Sequence, residues 1–188
     1  MTLLPRAAAL ALCAAAAACT NERVVADLPA PAYTLNEVAY AASGRDLRVV
    51  LHGNPYGADP QAFGRLVTGN MQNRVTGVQT NFTTTPNETA RPDYRVVLAF
   101  NPAETMLNSY LCGPQPIPTR PPLGAAGGAI VVQGAFCRGG GPLTSATGWL
   151  DRTGSPEDPD FRQLISDMTF SLFPARRADS GCLGGPPC

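Results

Sequence analysis

A single positive charge, Arg6, precedes thirteen apolar residues at positions 7–19. That order of basic start, short apolar run and small-residue end is the pattern of an export signal. The run is too short to span a bilayer, since a membrane-crossing helix needs about 20 apolar residues. It constrains the rest of the chain through the cysteines. In an oxidising compartment thiols pair by default, so the six cysteines read first as crosslinks.

The end of the run, Ala16-Ala17-Ala18-Cys19, resembles the lipobox of bacterial lipoproteins. The resemblance implies that residues 1–18 are removed as a signal peptide, that Cys19 is lipidated as the first residue of the mature chain, and that the protein is anchored to the membrane without crossing it. Thr20 in place of Asp implies, by the same resemblance, the outer membrane rather than the inner, with the domain facing the periplasm. Several acyl chains on one cysteine hold a protein where a single chain gives only marginal binding. The other reading of these residues is simple cleavage after Ala18, which would leave a soluble periplasmic ligand-binding protein. Cys13 follows Leu12 rather than a small residue and lies within the removed segment.

Without the signal about 170 residues remain, enough for one domain with a real core and short of two. Fourteen basic residues balance fourteen acidic ones, so the chain lacks the electrostatic footprint of a nucleic-acid binder. Every basic residue is arginine, which excludes a lysine Schiff base and a P-loop lysine. His52 is the one histidine, so a histidine-based triad has a single candidate.

Along the chain, residues 19–32 carry the lipid site and then mix charge, Ala and Pro without period. They read as a tether reaching roughly 45 Å when extended. Segments 37–42 and 46–52 flank Ser43-Gly44 and read as a β-hairpin. Asp59-Pro60 ahead of Phe63, Leu66, Val67 and Met71 predicts a helix over 60–74. Residues 78–84 alternate as a half-exposed edge strand and 93–100 as a central one. Residues 101–128 form a long loop whose prolines, from Pro114 to Pro122, favour extended polyproline segments, with a short helix near Met106 to Leu111. Segments 129–137 and 143–151 read as a hairpin about a glycine-rich turn. Asp158-Pro159 opens a helix with the stripe Phe161, Leu164, Ile165, Met168 and Leu172.

The fold expected is α+β: a single domain over 33–174, with a mostly antiparallel sheet of about five to six strands and two helices packed on one face. Residues 175–188 are too rich in Gly and Pro to fold by themselves and read as a disordered, cysteine-containing tail.

Cys112 and Cys137 bracket the proline-rich loop, and a bridge between them would pin that loop to the sheet. Cys182 and Cys188 would close a second, small ring. With Cys19 lipidated, these four pair without remainder. No CxxC or HxxxH spacing points to a metal. The glycines at 139–141 lack the following helix and Lys-Ser/Thr of a phosphate loop, so no cofactor is implied. No serine sits in a GxSxG elbow. Trp149, Phe136, Tyr94 and Phe100 fall on strands at period two and read as core.

The loop residues Tyr110, Leu111, Ile117 and Leu123 are the candidate partner-binding surface, with strand 78–84 a second candidate through strand addition. Together these features describe a membrane-anchored, non-enzymatic envelope lipoprotein that binds or scaffolds another envelope component. The runner-up is a small envelope enzyme acting near His52 and loop 101–128.

Overall fold

Six strands form one mixed sheet in the computed structural model, which describes residues 21–104, 106–124 and 126–175. They are β1 (Glu22–Ala26), β2 (Asp46–His52), β3 (Asn81–Thr83), β4 (Tyr94–Phe100), β5 (Gly128–Arg138) and β6 (Gly141–Thr153). Their order across the sheet is β1-β6-β5-β4-β2-β3. The β1–β6, β6–β5 and β5–β4 pairs are antiparallel, whereas β2 runs parallel to both β4 and β3. The helices are α1 (Leu35–Ala42), α2 (Pro60–Met71) and α3 (Pro159–Leu172). The α+β class, the single sheet and the single domain are as the sequence predicts.

The largest departure is at residues 37–42, predicted to be a strand and found as α1. Thr34 caps this helix, its Oγ1 accepting from the Glu37 backbone N–H at 3.0 Å, and Thr34 with Glu37 three residues on is the pattern of a capping box. Val38, Ala41 and Ala42 are buried, at the three-and-four spacing of a helical face rather than the period of a strand. With no hairpin there, β2 is free to pair in parallel with β4 through the α2 crossover, and this end of the sheet is not antiparallel.

The second departure is at the N-terminus of the domain. Residues 22–26, placed in the tether, form β1, which pairs with β6 from Glu22↔Leu150 to Ala26↔Ala146. Two β-branched residues favour the extended strand, and Val24 packs against the main core. The strand predicted over 78–84 shortens to Asn81–Thr83. The short helix predicted before Cys112 is a 3-10 helix, Asn108–Cys112.

Asp59 and Asp158 cap α2 and α3, their carboxylates accepting from Ala62 N and Asp160 N, each with proline in the first turn. The apolar faces of all three helices share one core with the even-numbered residues of β4 and β5, among them Val96, Leu98, Val132 and Phe136. Phe136, Phe100 and Tyr94 are buried there as predicted. The last helix lies unusually close to the sheet. A Cβ on Gly148 would lie 2.7 Å from Leu164 Cδ1, and one on Gly134 would lie 2.7 Å from Met168 Cε, so only glycine lets α3 settle at this height.

Among the described residues the opposite face of the sheet carries no α-helix, only the 3-10 turn Asn108–Cys112. Val97, Ala99, Ala135 and Cys137 point that way and are covered by Leu111 and Cys112 of the long loop. Burial of this second, smaller cluster is what turns residues 101–123 from a loop into a lid.

Candidate binding site

The lid is held at both ends and at its middle. Asn101 ends β4 in a left-handed conformation, φ 47°, which asparagine tolerates better than most residues. It stays there because it bonds Val131 twice, its N–H donating to Val131 O at 2.7 Å and its Oδ1 accepting from Val131 N at 2.8 Å. The returning leg pairs with the outgoing one, Ala103 N to Pro118 O at 2.9 Å and Arg120 N to Asn101 O at 2.8 Å. At the tip, Cys112 is disulfide-bonded to Cys137 of β5, as the cysteine spacing predicts. Arg95 clamps the same point, donating from Nη2 to Cys112 O at 2.6 Å and from Nη1 to Gly139 O at 3.0 Å.

Between this lid and the β1 edge of the sheet the second face is left open, and a cavity of about 350 Å³ remains. Its floor is Val131 and Gln133 of β5 with Thr147 and Trp149 of β6, which lie directly opposite each other in pairs. Its roof is Met106, Leu107 and Asn108. Asp27, Glu104 and Arg120 supply its charges. Cavities that hold small ligands combine apolar walls with a few fixed polar groups in this way.

The polar groups are fixed by one another. The Asp27 carboxylate can only accept, so Asn108 turns Nδ2 toward its Oδ2, at 2.9 Å; the same nitrogen lies 3.3 Å from Thr147 Oγ1. Asn108 Oδ1 therefore faces Gln133, whose Nε2 donates to it at 2.8 Å and to Met106 O at 2.9 Å. Both of those partners are acceptors, which fixes the Gln133 amide in this orientation. Its Oε1 is buried with no protein partner, although Gln133 is only 5 % exposed.

The residues singled out from sequence divide unevenly. Tyr110 is 63 % exposed, but Leu111 is 2 % exposed and belongs to the second core cluster. Ile117 packs on that cluster and Leu123 on the main core. The loop thus spends most of its predicted binding residues on holding itself down, and Leu107, 68 % exposed, joins Tyr110 on its surface. Trp149, read as core, is half-buried in the cavity floor with the Arg23 guanidinium 4.9 Å from its ring centre. Gln133 and Asn108 carry no motif. The one signal for them is a glutamine alternating among apolar residues on a central strand, where an amide must find partners.

His52 ends β2 beside the far side of the lid, in a separate cavity of about 370 Å³ with Arg48, Arg95 and Gln115. Burial lowers its pKa below the ordinary 6.5, so it is neutral at pH 7. No Ser, Cys, Asp or Glu lines that cavity. Among the described residues no cluster of three His, Cys, Asp or Glu side chains could hold a metal, and no helix is long and apolar enough to cross a membrane. Cys19, Cys182 and Cys188 lie outside the described residues.

No protein-family model matches the chain, and no curated protein does. Among solved structures, the PelC dodecamer from Paraburkholderia phytofirmans matches with a TM-score of 0.41 at 18 % identity, covering 83 % of this chain and 99 % of that one. A single-residue variant of the same dodecamer gives 0.40 at 16 % identity, covering 80 % and 98 %. Likeness at this level says nothing of function.

Proposed function

We propose that this chain is a membrane-anchored lipoprotein of the cell envelope, facing the periplasm and sorted to the outer membrane, which binds another envelope component rather than transforming it. The observation that carries the binding half is the cavity beneath the lid: a sheet face that could have been closed by apolar residues is instead built around a hydrogen-bonded amide network with one buried acceptor left over. Every side chain of that network is a hydrogen-bonding group; its one serine, Ser145, donates to Asp27 Oδ2 at 2.6 Å, and no histidine lines the cavity to activate that hydroxyl.

The anchoring half rests on the lipobox-like end at Cys19. The position of β1 adds a consequence. Only Thr20 and Asn21 separate Cys19 from the first paired residue, Glu22, so a lipid on Cys19 would hold the sheet within about 10 Å of the attachment point. The 45 Å reach of a free tether is replaced by a domain seated on its membrane, with a fixed end turned toward the lipid.

Fractionation of cells expressing the wild-type chain and Cys19→Ala tests this reading. The wild type is expected in the membrane fraction and extractable only by detergent, with the variant released or retained as an unprocessed precursor. An identical, soluble distribution of the two would refute it.

A further inference from the structure

The cavity is specific about what it would accept, and this inference rests on the binding reading above. Gln133 Oε1 is an acceptor that the protein neither satisfies nor allows to turn away, because both partners of Nε2 can only accept. A buried carbonyl left without a donor costs about 1–3 kcal/mol. That atom is closed off from solvent, so the group a ligand meets on that side is the exposed Asp27 carboxylate, whose Oδ2 accepts from Asn108 and Ser145.

The charges narrow the ligand further. Arg120 is anchored through its backbone N–H on Asn101 O at 2.8 Å, at the β4 side of the cavity, while Asp27 follows β1 on the opposite side. A guanidinium matches a carboxylate with two parallel bonds. The two carboxylates of Asp27 and Glu104 against one arginine disfavour a dianion such as a phosphate ester by like-charge repulsion. Between the charged ends lie the apolar surfaces of Met106, Leu107, Val131 and Trp149.

We infer that the cavity between the lid and strands β5 and β6 binds a small amino-carboxylate with an apolar side chain, as a free α-amino acid or as the carboxyl end of a short peptide. Its nitrogen donates to the Asp27 carboxylate, its carboxylate pairs with Arg120, and its side chain lies against Met106, Leu107 and Trp149. A volume of about 350 Å³ is at the small end of ligand cavities, which suits a ligand of one or two residues.

Calorimetric titration of the detergent-solubilised mature protein with leucine, leucyl-leucine and leucinamide tests this. Saturable binding of leucine or leucyl-leucine is expected, with at least tenfold weaker binding of leucinamide, which lacks the carboxylate. Binding of leucine indicates a free solute as the ligand, and binding of leucyl-leucine alone indicates a peptide end. Arg120→Gln, an exposed substitution that leaves the core intact, should weaken the carboxylate ligand at least tenfold and leave leucinamide unchanged. Asp27→Asn should weaken both at least tenfold.

No saturable binding of leucine or leucyl-leucine, or equal affinity of the acid for wild type and Arg120→Gln, overturns the assignment. Either result in a protein that still fractionates with the membrane would remove the ligand class and leave the anchored binding protein standing.

Discussion

Cys112 and Cys137 join the tip of the lid to the middle of the sheet, their Cα atoms 5.6 Å apart across a separation of 25 residues. Cys137 pairs with Arg95 in the sheet, and Arg95 in turn donates to the Cys112 carbonyl, so the covalent bond and a charge-assisted contact of the lid meet at one place. Loss of the crosslink, as Cys112→Ser with Cys137→Ser, is expected to cost about 3 kcal/mol through the added entropy of the unfolded chain. Urea melts of the two proteins measure it. Equal midpoints would mean that the polar contacts alone hold the lid.

The sequence made this crosslink legible because a closed loop needs only two cysteines at its ends and an oxidising compartment. Helices α2 and α3 were legible for a similar reason: Asp-Pro starts and apolar stripes are local signals that tertiary packing did not override. The hidden parts depend on partners distant in sequence. Val38, Ala41 and Ala42 sit where strand and helix patterns overlap within six residues, and only burial of Ala41 and Ala42 against the core separates them. β1 exists because β6, more than 100 residues away, offers it an edge. The cavity was invisible because its key residues, Gln133 and Asn108, are ordinary amides whose meaning lies in which atoms they leave unbonded.

Glu22 should make the protein less stable at neutral pH than it could be. Its Oε2 is buried without a donor, and its pKa is raised above the ordinary 4.5, first by burial and then by the carboxylates of Asp167 and Asp160. A raised carboxyl pKa means that the folded state holds the proton more tightly than the unfolded chain. The favourable contribution is therefore present in acid and lost as pH rises through the raised value. Glu22→Gln is expected to raise the melting temperature at pH 7, with the gain shrinking as pH falls through the raised value and gone below the ordinary 4.5. A gain independent of pH would assign the effect to packing instead.

Two glycine substitutions should act in opposite directions. Gly148→Ala places a methyl group against Leu164 and Met168 in a core with no room for it, and overpacking of this kind costs about 1–3 kcal/mol. Gly69→Ala, on the exposed side of α2 with nothing within 4 Å of the new Cβ, should stabilise by up to about 1 kcal/mol through helix propensity. Chemical denaturation of both variants reads the contrast. A neutral Gly148→Ala would show that α3 can lift from the sheet at little cost.

The account as a whole depends on the proposed processing and lipidation at Cys19, and mass spectrometry of the N-terminal peptide from the protein isolated from its own cells reads that directly. The account predicts a chain starting at Cys19 and carrying acyl groups, with residues 1–18 gone. A peptide starting at Met1, or at Cys19 with a free thiol and no lipid, would contradict it.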